Sequence, residues 1–253
     1  MRLMALEFRG VSFRYNRKTT VLDSFDLRVS STATVLLGPN GAGKSTLMAL
    51  AASQLKPLDG TVTWKGRSPA ARKDVTAYRK AVAWLPQHIT PVPGLTVREQ
   101  VAYAGWLKGM NRTDAWKASA TTLGRVGLDK LADRRSHQVS GGQLRRMGIA
   151  GALTHHSELI LMDEPTAGLD PTQRKVFRSL LEQLADDVHI VVSTHQTEDL
   201  ADLYQHVVVL DRGTVRFHGT TTEFHAMADN AGNAQGPRER AEAAYTQLVG
   251  EEI

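Results

Sequence analysis

The amino-acid sequence predicts an α/β protein with a mostly parallel core sheet, an N-terminal antiparallel β-subdomain and an inserted α-helical subdomain. The segments Met4 to Tyr15 and Phe25 to Val29 are short, partly alternating and rich in Val, Phe and Leu, which is typical of antiparallel strands. Further along, compact apolar runs alternate with helical patterns, which favours a parallel sheet flanked by helices. Residues from about 96 to 155 carry only helical patterns, so they are predicted to form the insertion.

The composition is that of an ordinary globular protein. The chain has 253 residues, 42% of them hydrophobic and 23% charged, so it is long enough to bury a core without covalent staples. It contains no cysteine, which excludes a disulfide scaffold, thiol catalysis and cysteine-rich metal sites. The net charge of +5 is too small an excess to indicate nucleic-acid binding by itself.

No segment of the sequence is predicted to cross a membrane. The first ten residues include Arg2, Glu7 and Arg9, which interrupt the apolar core that a signal peptide needs. Apolar runs such as Leu159 to Met162 and His206 to Leu210 are far shorter than the roughly 20 residues of a membrane span. We therefore expect any role at a membrane to depend on a partner chain.

Strands and helices follow one another along the rest of the chain. The pattern predicts, in order, strand Thr34 to Leu37, helix Lys44 to Leu55, strands Thr61 to Trp64 and Ala81 to Leu85, helices Val97 to Leu107, Thr113 to Val126 and Gly142 to Leu153, strand Leu159 to Met162, helix Pro171 to Leu184, strand Val188 to Val192, helix Glu198 to Tyr204, and a hairpin of Val207 to Leu210 with Thr214 to His218. Residues 1–228 are predicted to form one unit. Residues 229–253 are predicted to be a linker, from Asp229 to Pro237, and a short helix from Arg238 to Val249.

The strongest motif is a glycine-rich loop between a predicted strand and a predicted helix. This phosphate loop matches the pattern G-x-x-x-x-G-K-[ST] and consists of Gly38, Pro39, Asn40, Gly41, Ala42, Gly43, Lys44 and Ser45. Backbone N–H groups of such a loop and the N-terminus of the following helix bind phosphate oxygens. We expect Lys44 to contact the β- and γ-phosphates of a nucleotide, Ser45 to bind Mg²⁺, and Thr46 to donate to the α-phosphate. A glycine-rich turn that binds nothing would not require this order of strand, loop and helix.

Polar residues follow two further predicted strands. Asp163 and Glu164 come directly after Leu159 to Met162, and His195 follows Ile190 to Ser193. Because ligands of open α/β sheets bind at the carboxyl ends of the strands, we expect these side chains to meet at one site. Asp163 is predicted to hold Mg²⁺ through water, Glu164 to accept a proton from an attacking water, and His195 to hydrogen-bond the γ-phosphate. The alternatives are that the two acids cap the following turn and that His195 is an ordinary surface histidine.

A second helix N-terminus is also predicted to meet an anion. The residues that open the helix Gly142 to Leu153 are Ser140, Gly141, Gly142 and Gln143. Ser140 is a favourable N-cap residue, and the two glycines leave the backbone amides unobstructed. These residues alone leave open the alternative of a plain serine cap with a flexible turn.

With these motifs in order, the chain resembles the nucleotide-binding subunit of an ABC (ATP-binding cassette) transporter over about Leu6 to Thr222. The matches to the family are Tyr15 as the adenine-stacking aromatic, Gly38 to Thr46 as Walker A, Gln87 as the Q-loop, Ser140 to Gln143 as the signature, Leu159 to Asp163 as Walker B with Glu164 behind it, Ala167 to Asp170 as the D-loop and His195 as the switch. The signature separates this family from other P-loop ATPases. Val139 stands where the family usually has leucine, an apolar exchange that precedes the ligand-facing residues.

The resemblance implies a P-loop NTPase fold and an ATPase that uses ATP and Mg²⁺. In the family two cassettes pack head to tail, so that the phosphate loop of one chain and the signature of the other hold the same ATP. Gln87 would contact Mg²⁺ or the attacking water, Asp170 would link the two sites, and Tyr15 would stack on the base. Since this chain retains the catalytic residues together, a homodimer with two active sites is expected. Separate integral membrane permease subunits would form the pore and hold the chain at the cytoplasmic face of the cell membrane.

The sequence is less specific about what ATP hydrolysis drives. The segments from Phe177 to His195 and from Gly213 to Thr220 resemble bacterial drug and antibiotic efflux cassettes, which implies export, although importers share the same catalytic motifs. A soluble ABC ATPase acting on DNA or ribosomes is the other alternative, but such relatives usually carry coiled-coil insertions or two cassettes. We expect no nucleic-acid partner, because the basic stretch Lys65 to Lys80 is better interpreted as a solvated face. Trp106 and Trp116 lie in the helical insertion, which in the family docks on the membrane subunit; they are expected to pack in a core, and contact with that subunit is the alternative.

Overall fold

The structure is a computed structural model that describes residues 5–197, 204–228 and 236–250. The strands in these ranges are β1 (Leu6–Asn16), β2 (Thr19–Val29), β3 (Ala33–Leu37), β4 (Asp59–Trp64), β5 (Val82–Leu85), β6 (Leu159–Asp163), β7 (His189–Thr194), β8 (His206–Asp211) and β9 (Thr214–Thr220). The α-helices are α1 (Lys44–Ala51), α2 (Val75–Ala81), α3 (Val97–Leu107), α4 (Arg112–Arg125), α5 (Gly141–Thr154), α6 (Pro171–Leu184), α7 (Thr221–Ala226) and α8 (Pro237–Val249). None of the helices in these ranges has both the length and the apolar character that crossing a bilayer requires.

The strands form two sheets, as the sequence predicts. An antiparallel sheet has the order β2-β1-β4, and the larger sheet has the order β5-β6-β7-β3-β8-β9. The five neighbouring strands β5, β6, β7, β3 and β8 are parallel to one another, and β9 pairs antiparallel with β8. The register pairs Leu37 with Thr194 and Asp163 with Ser193, so the carboxyl ends of β3, β6 and β7 meet at one edge. This edge is where an open α/β sheet binds its ligand.

Apolar side chains cover both faces of the larger sheet. Leu159 and Leu161 of β6 belong to a core cluster shared with α1 and the antiparallel sheet. Ile160 and Met162, which point to the other face, belong to a cluster shared with the helical insertion and α6. Such a strand, buried on both faces, explains why its sequence is a continuous apolar run rather than an alternating one.

The helical insertion is formed by α3, α4 and α5, which contact one another. Each of these helices begins at a side-chain cap that the sequence makes recognisable. Thr96 and Glu99 form a capping box at α3, Asn111 accepts from the Asp114 N–H at α4, and Ser140 caps α5. These three helices lie between β5 and β6 along the chain, and the bounds of the insertion at about 96–155 remain a prediction.

Several boundaries and two helices differ from the sequence-based prediction. Helix α1 ends at Ala51 rather than at Leu55, because Ser53 adopts a left-handed φ of 59° and the Gln54 N–H donates to the Ala49 carbonyl. Serine is not the residue that normally marks such a helix end. Helix α2 was not predicted within the basic stretch. It is anchored by Tyr78, whose buried hydroxyl donates to the Ala51 carbonyl at 2.6 Å.

The short helix α7 was not predicted either, although Thr220 and Glu223 form a capping box at its start. The predicted helix Glu198 to Tyr204 lies, except for Tyr204, outside the described residues, and so does most of the predicted linker at Asp229 to Pro237. Helix α8 packs against α7, with Ala241 and Ala244 buried. The division of the chain at residue 228 remains a prediction.

We expect the buried His155 to make the stability of the fold depend on pH. His155 is 2% exposed at the end of α5, and its Nδ1–H donates to the Lys80 carbonyl at 3.0 Å. Burial, reinforced by the positive charge of Lys108, lowers the pKa of His155 from 6.5 to about 4. As the pH falls, His155 therefore takes up a proton in the unfolded chain before it does so in the folded chain. The contribution of neutral His155 to the stability of the fold is complete above its pKa in the unfolded chain, and it is lost as the pH falls toward its pKa in the folded chain.

The prediction is a loss of up to about 3 kcal/mol in the free energy of unfolding from this group between neutral pH and about pH 4. The variant His155→Gln keeps an amide donor for the Lys80 carbonyl but has no titrating group. Urea unfolding at about pH 7 and about pH 4.5 should show a smaller pH dependence for this variant than for the wild type. Equal pH dependence in the two proteins would show that His155 is not the titrating group.

Candidate active site

The phosphate loop lies between β3 and α1, at the carboxyl edge of the larger sheet. Gly38 begins the loop with no room for a side chain, because a Cβ there would lie 2.2 Å from the Leu210 carbonyl oxygen. Gly43 ends it at a φ of 103°, a left-handed conformation that glycine adopts without strain. Helix α1 then starts with no side-chain cap and no acidic residue in its first turn. Its N-terminal N–H groups are therefore suited to an anion.

Lys44 is folded into this loop. Its side chain is 6% exposed, and its Nζ donates to the carbonyl oxygens of Gly38 at 2.6 Å and Pro39 at 3.0 Å. The same Nζ lies 3.8 Å from Oε1 of Glu164. The ammonium group thus stands between the loop and a carboxylate at the end of a neighbouring strand, where a buried positive charge attracts phosphate oxygens.

The two acids at the end of β6 are both buried but have different partners. Asp163 is 6% exposed, and its Oδ1 accepts a hydrogen bond of 2.5 Å from the Ser193 hydroxyl on β7. Glu164 is 7% exposed and has a left-handed φ of 47°. Its N–H donates to the carbonyl and hydroxyl oxygens of Ser193 at 3.1 and 3.2 Å. Such a conformation costs about 1–3 kcal/mol for a residue that is not glycine, so it is kept only where its surroundings enforce it.

His195 contacts the carboxylate of Glu164. Its Nδ1 lies 2.9 Å from both carboxylate oxygens, so the ring N–H is shared between them. Together with Lys44 these residues form a row of polar side chains, which we call the Lys44–Glu164–His195 cluster. Sequence reasoning predicted that the three residues would meet. It missed Ser193, which is recognisable only as a polar residue in an apolar strand, in register with Asp163.

The oxygen donors at this edge fit a magnesium ion that takes its remaining ligands from phosphate and water. Asp163 ends β6, Ser45 lies in the first turn of α1, and Gln87 follows β5. Carboxylate, hydroxyl and amide oxygens are ligands that Mg²⁺ accepts, and it binds few protein groups directly. Within the described ranges, no cluster of three or more His, Asp or Glu side chains could hold a metal alone.

Tyr15 extends the site toward the antiparallel sheet. Its hydroxyl lies 3.1 Å from Oγ1 of Thr46, which joins the end of β1 to the first turn of α1. The ring is 60% exposed and contacts Phe13 edge to face at 5.1 Å. A flat aromatic surface is therefore exposed beside the phosphate loop.

The signature residues Ser140 to Gln143 form the start of α5 in the helical insertion. The Ser140 hydroxyl accepts from the Gln143 N–H at 3.3 Å, and the Gln143 side chain accepts from the Ser140 N–H at 2.9 Å. Gly142 faces α6, where a Cβ would lie 3.2 Å from Oε1 of Gln173. Asp170 caps α6 by accepting from the Gln173 N–H at 2.8 Å. The hydrogen bonds between Ser140 and Gln143 thus close the cap of α5, and Gly142 and Asp170 both contact Gln173 of α6.

A buried lysine in a glycine-rich loop, beside two acids at the end of a neighbouring parallel strand, defines a nucleotide-binding protein of the P-loop class. A family model described as "ABC transporter" matches residues 22–167. The chain therefore belongs to the ABC transporter family, as an ATP-binding subunit.

Relatives in sequence carry names of several transport systems. The chain is 36% identical over 234 residues to the energy-coupling factor transporter ATP-binding protein EcfA2 of Lactiplantibacillus plantarum, covering 87% of this chain and 79% of the relative. It is 32% identical over 220 residues to the linearmycin resistance ATP-binding protein LnrL of Bacillus subtilis, covering 86% and 70%. It is 34% identical over 235 residues to the cobalt import ATP-binding protein CbiO of Rhodobacter capsulatus, covering 91% and 83%.

Solved structures share the fold over most of the chain. The structure of cbiO1 from Clostridium perfringens, part of the ABC transporter complex cbiONQ, matches with a TM-score of 0.77 at 26% identity, covering 93% of this chain and 96% of that one. The dimeric structure of the bacterial ABC transporter cassette MJ0796 matches with a TM-score of 0.74 at 25% identity, covering 85% and 98%. The predicted P-loop fold, with its antiparallel and mostly parallel sheets, is thereby confirmed.

Proposed function

We propose that the chain binds MgATP, hydrolyses it to ADP and phosphate, and uses the reaction to drive transport through separate membrane subunits. The observation that carries this proposal is the Lys44–Glu164–His195 cluster, which places a buried ammonium and a buried carboxylate beside the phosphate loop. A loop that only closes a turn would not need a buried ion pair at its end, since desolvating two charges costs free energy.

Binding of ATP is proposed to use the loop and the aromatic ring beside it. Residues 38–43 and the N-terminus of α1 offer N–H groups to the phosphates. Lys44 exchanges the carbonyls of Gly38 and Pro39 for β- and γ-phosphate oxygens, and Thr46 donates to the α-phosphate. The exposed ring of Tyr15 stacks on the base.

Hydrolysis is proposed to depend on Glu164 as the general base. Its carboxylate accepts a proton from the attacking water, while the hydrogen bond from His195 orients it. The sequence predicts that His195 bonds the γ-phosphate, whereas in the structure its Nδ1 contacts the carboxylate of Glu164. We propose that the other ring nitrogen, Nε2, contacts the γ-phosphate. Asp163, Ser45 and Gln87 hold Mg²⁺, which when bound supplies positive charge to the phosphate oxygens.

The ATP site is proposed to be completed by a second copy of the chain. Ser140, Gly141, Gly142 and Gln143 lie at the N-terminus of α5, where backbone N–H groups are suited to an anion. In a head-to-tail homodimer they would contact the γ-phosphate bound by the other copy, with Asp170 at the interface. The structure of the similar cassette MJ0796 is described as dimeric, which supports a dimer of cassettes.

The helical insertion is the proposed docking surface for a membrane subunit at the cytoplasmic face of the membrane. The expectation that Trp106 and Trp116 pack in a core is wrong, because their side chains are 55% and 41% exposed. They line a groove of about 590 Å³ between α3 and α4, together with Tyr103, whose ring stacks on Trp106 at 5.7 Å. An exposed aromatic groove of this size is typical of a protein interface.

We propose export as the direction of transport, on the resemblance to efflux cassettes and on the relative named for linearmycin resistance. Import is the second candidate, and the relative named for cobalt import favours it. The catalytic residues are the same for either direction, so the ATP site does not discriminate between them.

Two measurements test the proposed function. The purified chain should release phosphate from ATP in the presence of Mg²⁺, and chelation of the metal should abolish the release.

A membrane protein encoded next to this chain should co-purify with it from detergent, and replacing Trp106 and Trp116 with serine should reduce this co-purification while leaving ATP binding unchanged. Absence of hydrolysis both alone and with the membrane protein would contradict the proposal.

A further inference from the structure

Arg145 connects the signature helix to the turn that holds the candidate base. Arg145 lies on α5, two residues after Gln143, and its Nη1 donates to the backbone carbonyl of Pro165. Pro165 is the residue that follows Glu164. The guanidinium therefore contacts the backbone one residue away from the carboxylate that faces Lys44 and His195.

The turn at Glu164 needs such contacts, because its backbone is in a conformation that a glutamate rarely adopts. Its φ is 47°, and its N–H is held by the carbonyl and hydroxyl of Ser193. Its carbonyl accepts from the Ala167 N–H at 3.2 Å. Arg145 donates to the next carbonyl along the chain, that of Pro165, so contacts from β7, from the turn itself and from α5 together position the base.

A second contact joins the same two segments. Gly142 lies against the side chain of Gln173, whose N–H donates to Asp170 at the start of α6. A side chain at position 142 would press on Gln173, since a Cβ there would lie 3.2 Å from Oε1. Two contacts at separate points leave α5 and residues 164–173 little freedom to move independently.

We propose that Arg145 is a positioning residue that makes the signature of one ATP site control the base of the other. The inference rests on the proposed function, in which Ser140 and Gly142 meet the ATP held by a second copy while Glu164 serves the ATP of its own chain. When the second copy's ATP draws the signature helix inward, Arg145 moves the Pro165 carbonyl with it and brings Glu164 into line with the attacking water. Each chain thus hydrolyses its own ATP efficiently only when its signature is engaged.

The first test compares substitutions of two adjacent arginines. Arg145→Gln should lower kcat for ATP hydrolysis by about tenfold with KM changed by less than about threefold, because ATP binding does not use this contact. Arg145→Lys keeps a cationic donor, so its kcat should be no more than about threefold below that of the wild type. If Arg145→Gln does not fold, Arg145→Met is expected to show the same loss of kcat, because it keeps the apolar stem and lacks the donor.

Arg146→Gln is the control from the same helix. Arg146 donates to the carbonyls of Val126 at 3.0 Å and Gly127 at 3.3 Å, so its contacts remain within the helical insertion. Its loss should lower the midpoint of thermal unfolding but leave kcat within about twofold of the wild type. A kcat for Arg145→Gln within about twofold of the wild type, or an equal loss in the Arg146 variant, would overturn the proposal.

The second test uses mixed dimers that carry one intact Glu164, isolated with two different affinity tags. When Arg145→Gln is on the chain with the intact Glu164, single-turnover hydrolysis should fall by about tenfold relative to the mixed dimer without it. When Arg145→Gln is on the chain that carries Glu164→Gln, the rate should stay within about twofold. A loss only in the second arrangement would overturn the proposal. Absence of hydrolysis in wild-type protein would instead contradict the proposed function itself.

Discussion

Replacing Glu164 with glutamine is expected to lower the rate of ATP hydrolysis by at least about a hundredfold while ATP affinity changes by less than about threefold. Glutamine has the same shape and keeps an oxygen to accept the hydrogen bond from Nδ1 of His195. It cannot accept a proton from water at neutral pH. Because ATP then stays bound, the variant should also accumulate an ATP-dependent dimer, which the wild type would dissociate by hydrolysis.

The residue that precedes β6, Glu158, provides the control for this substitution. Glu158 lies immediately before β6, at the opposite edge of the sheet, where it accepts hydrogen bonds from Trp64 at 3.0 Å and Lys65 at 2.7 Å. Glu158→Gln makes the same chemical change far from the phosphate loop and should leave hydrolysis within about twofold of the wild type. Phosphate release and equilibrium ATP binding would be measured for both variants. Unimpaired hydrolysis in Glu164→Gln would exclude this residue as the general base.

The parts of the fold that could be predicted from sequence are those with a local signal. The phosphate loop is recognisable by its glycines and Lys44, and the cap of α5 by Ser140. Helix α2 has no such signal, because what holds it is the hydrogen bond of Tyr78 to a carbonyl of another helix. Contacts of this kind depend on packing between segments that are distant in sequence, which a local pattern does not contain.

The same distinction applies to the site. The predicted meeting of Lys44, Asp163, Glu164 and His195 follows from one rule, that parallel strands end at one edge. The contact of Ser193 with Asp163 depends on the register of β6 and β7, and the contact of Arg145 with Pro165 on the orientation of α5. For the signature, sequence reasoning identifies a helix N-terminus suited to an anion, but within the described chain it faces α6. Its proposed ligand belongs to a second chain, so no single-chain feature can reveal it.

The proposed head-to-tail homodimer predicts a second large effect, which is recovery of activity when two inactive variants are mixed. Lys44→Ala removes the ammonium group from the phosphate loop, and Gly141→Asp places a carboxylate where the signature would meet the γ-phosphate. Each variant alone should lose hydrolysis by at least about a hundredfold. Both should fold, because a Cβ at position 141 meets no atom within 4 Å and an acidic residue at a helix N-terminus is favourable.

An equimolar mixture should regain hydrolysis, because half of the dimers are mixed and each of these has one complete site, which sets a ceiling of about a quarter of the wild-type rate. If the coupling through Arg145 operates, the recovered rate should be about tenfold below that ceiling, because the signature of the hydrolysing chain is then not engaged. The site is complete because the Gly141→Asp chain supplies the phosphate loop and the Lys44→Ala chain supplies the signature. A mixture of Lys44→Ala with Glu164→Gln is the control, because both changes lie on the loop side of the site and every mixed dimer has two defective sites. Recovery in the first mixture alone requires that one ATP be shared by two chains, whereas failure of the first mixture, or recovery in both, would contradict the head-to-tail homodimer.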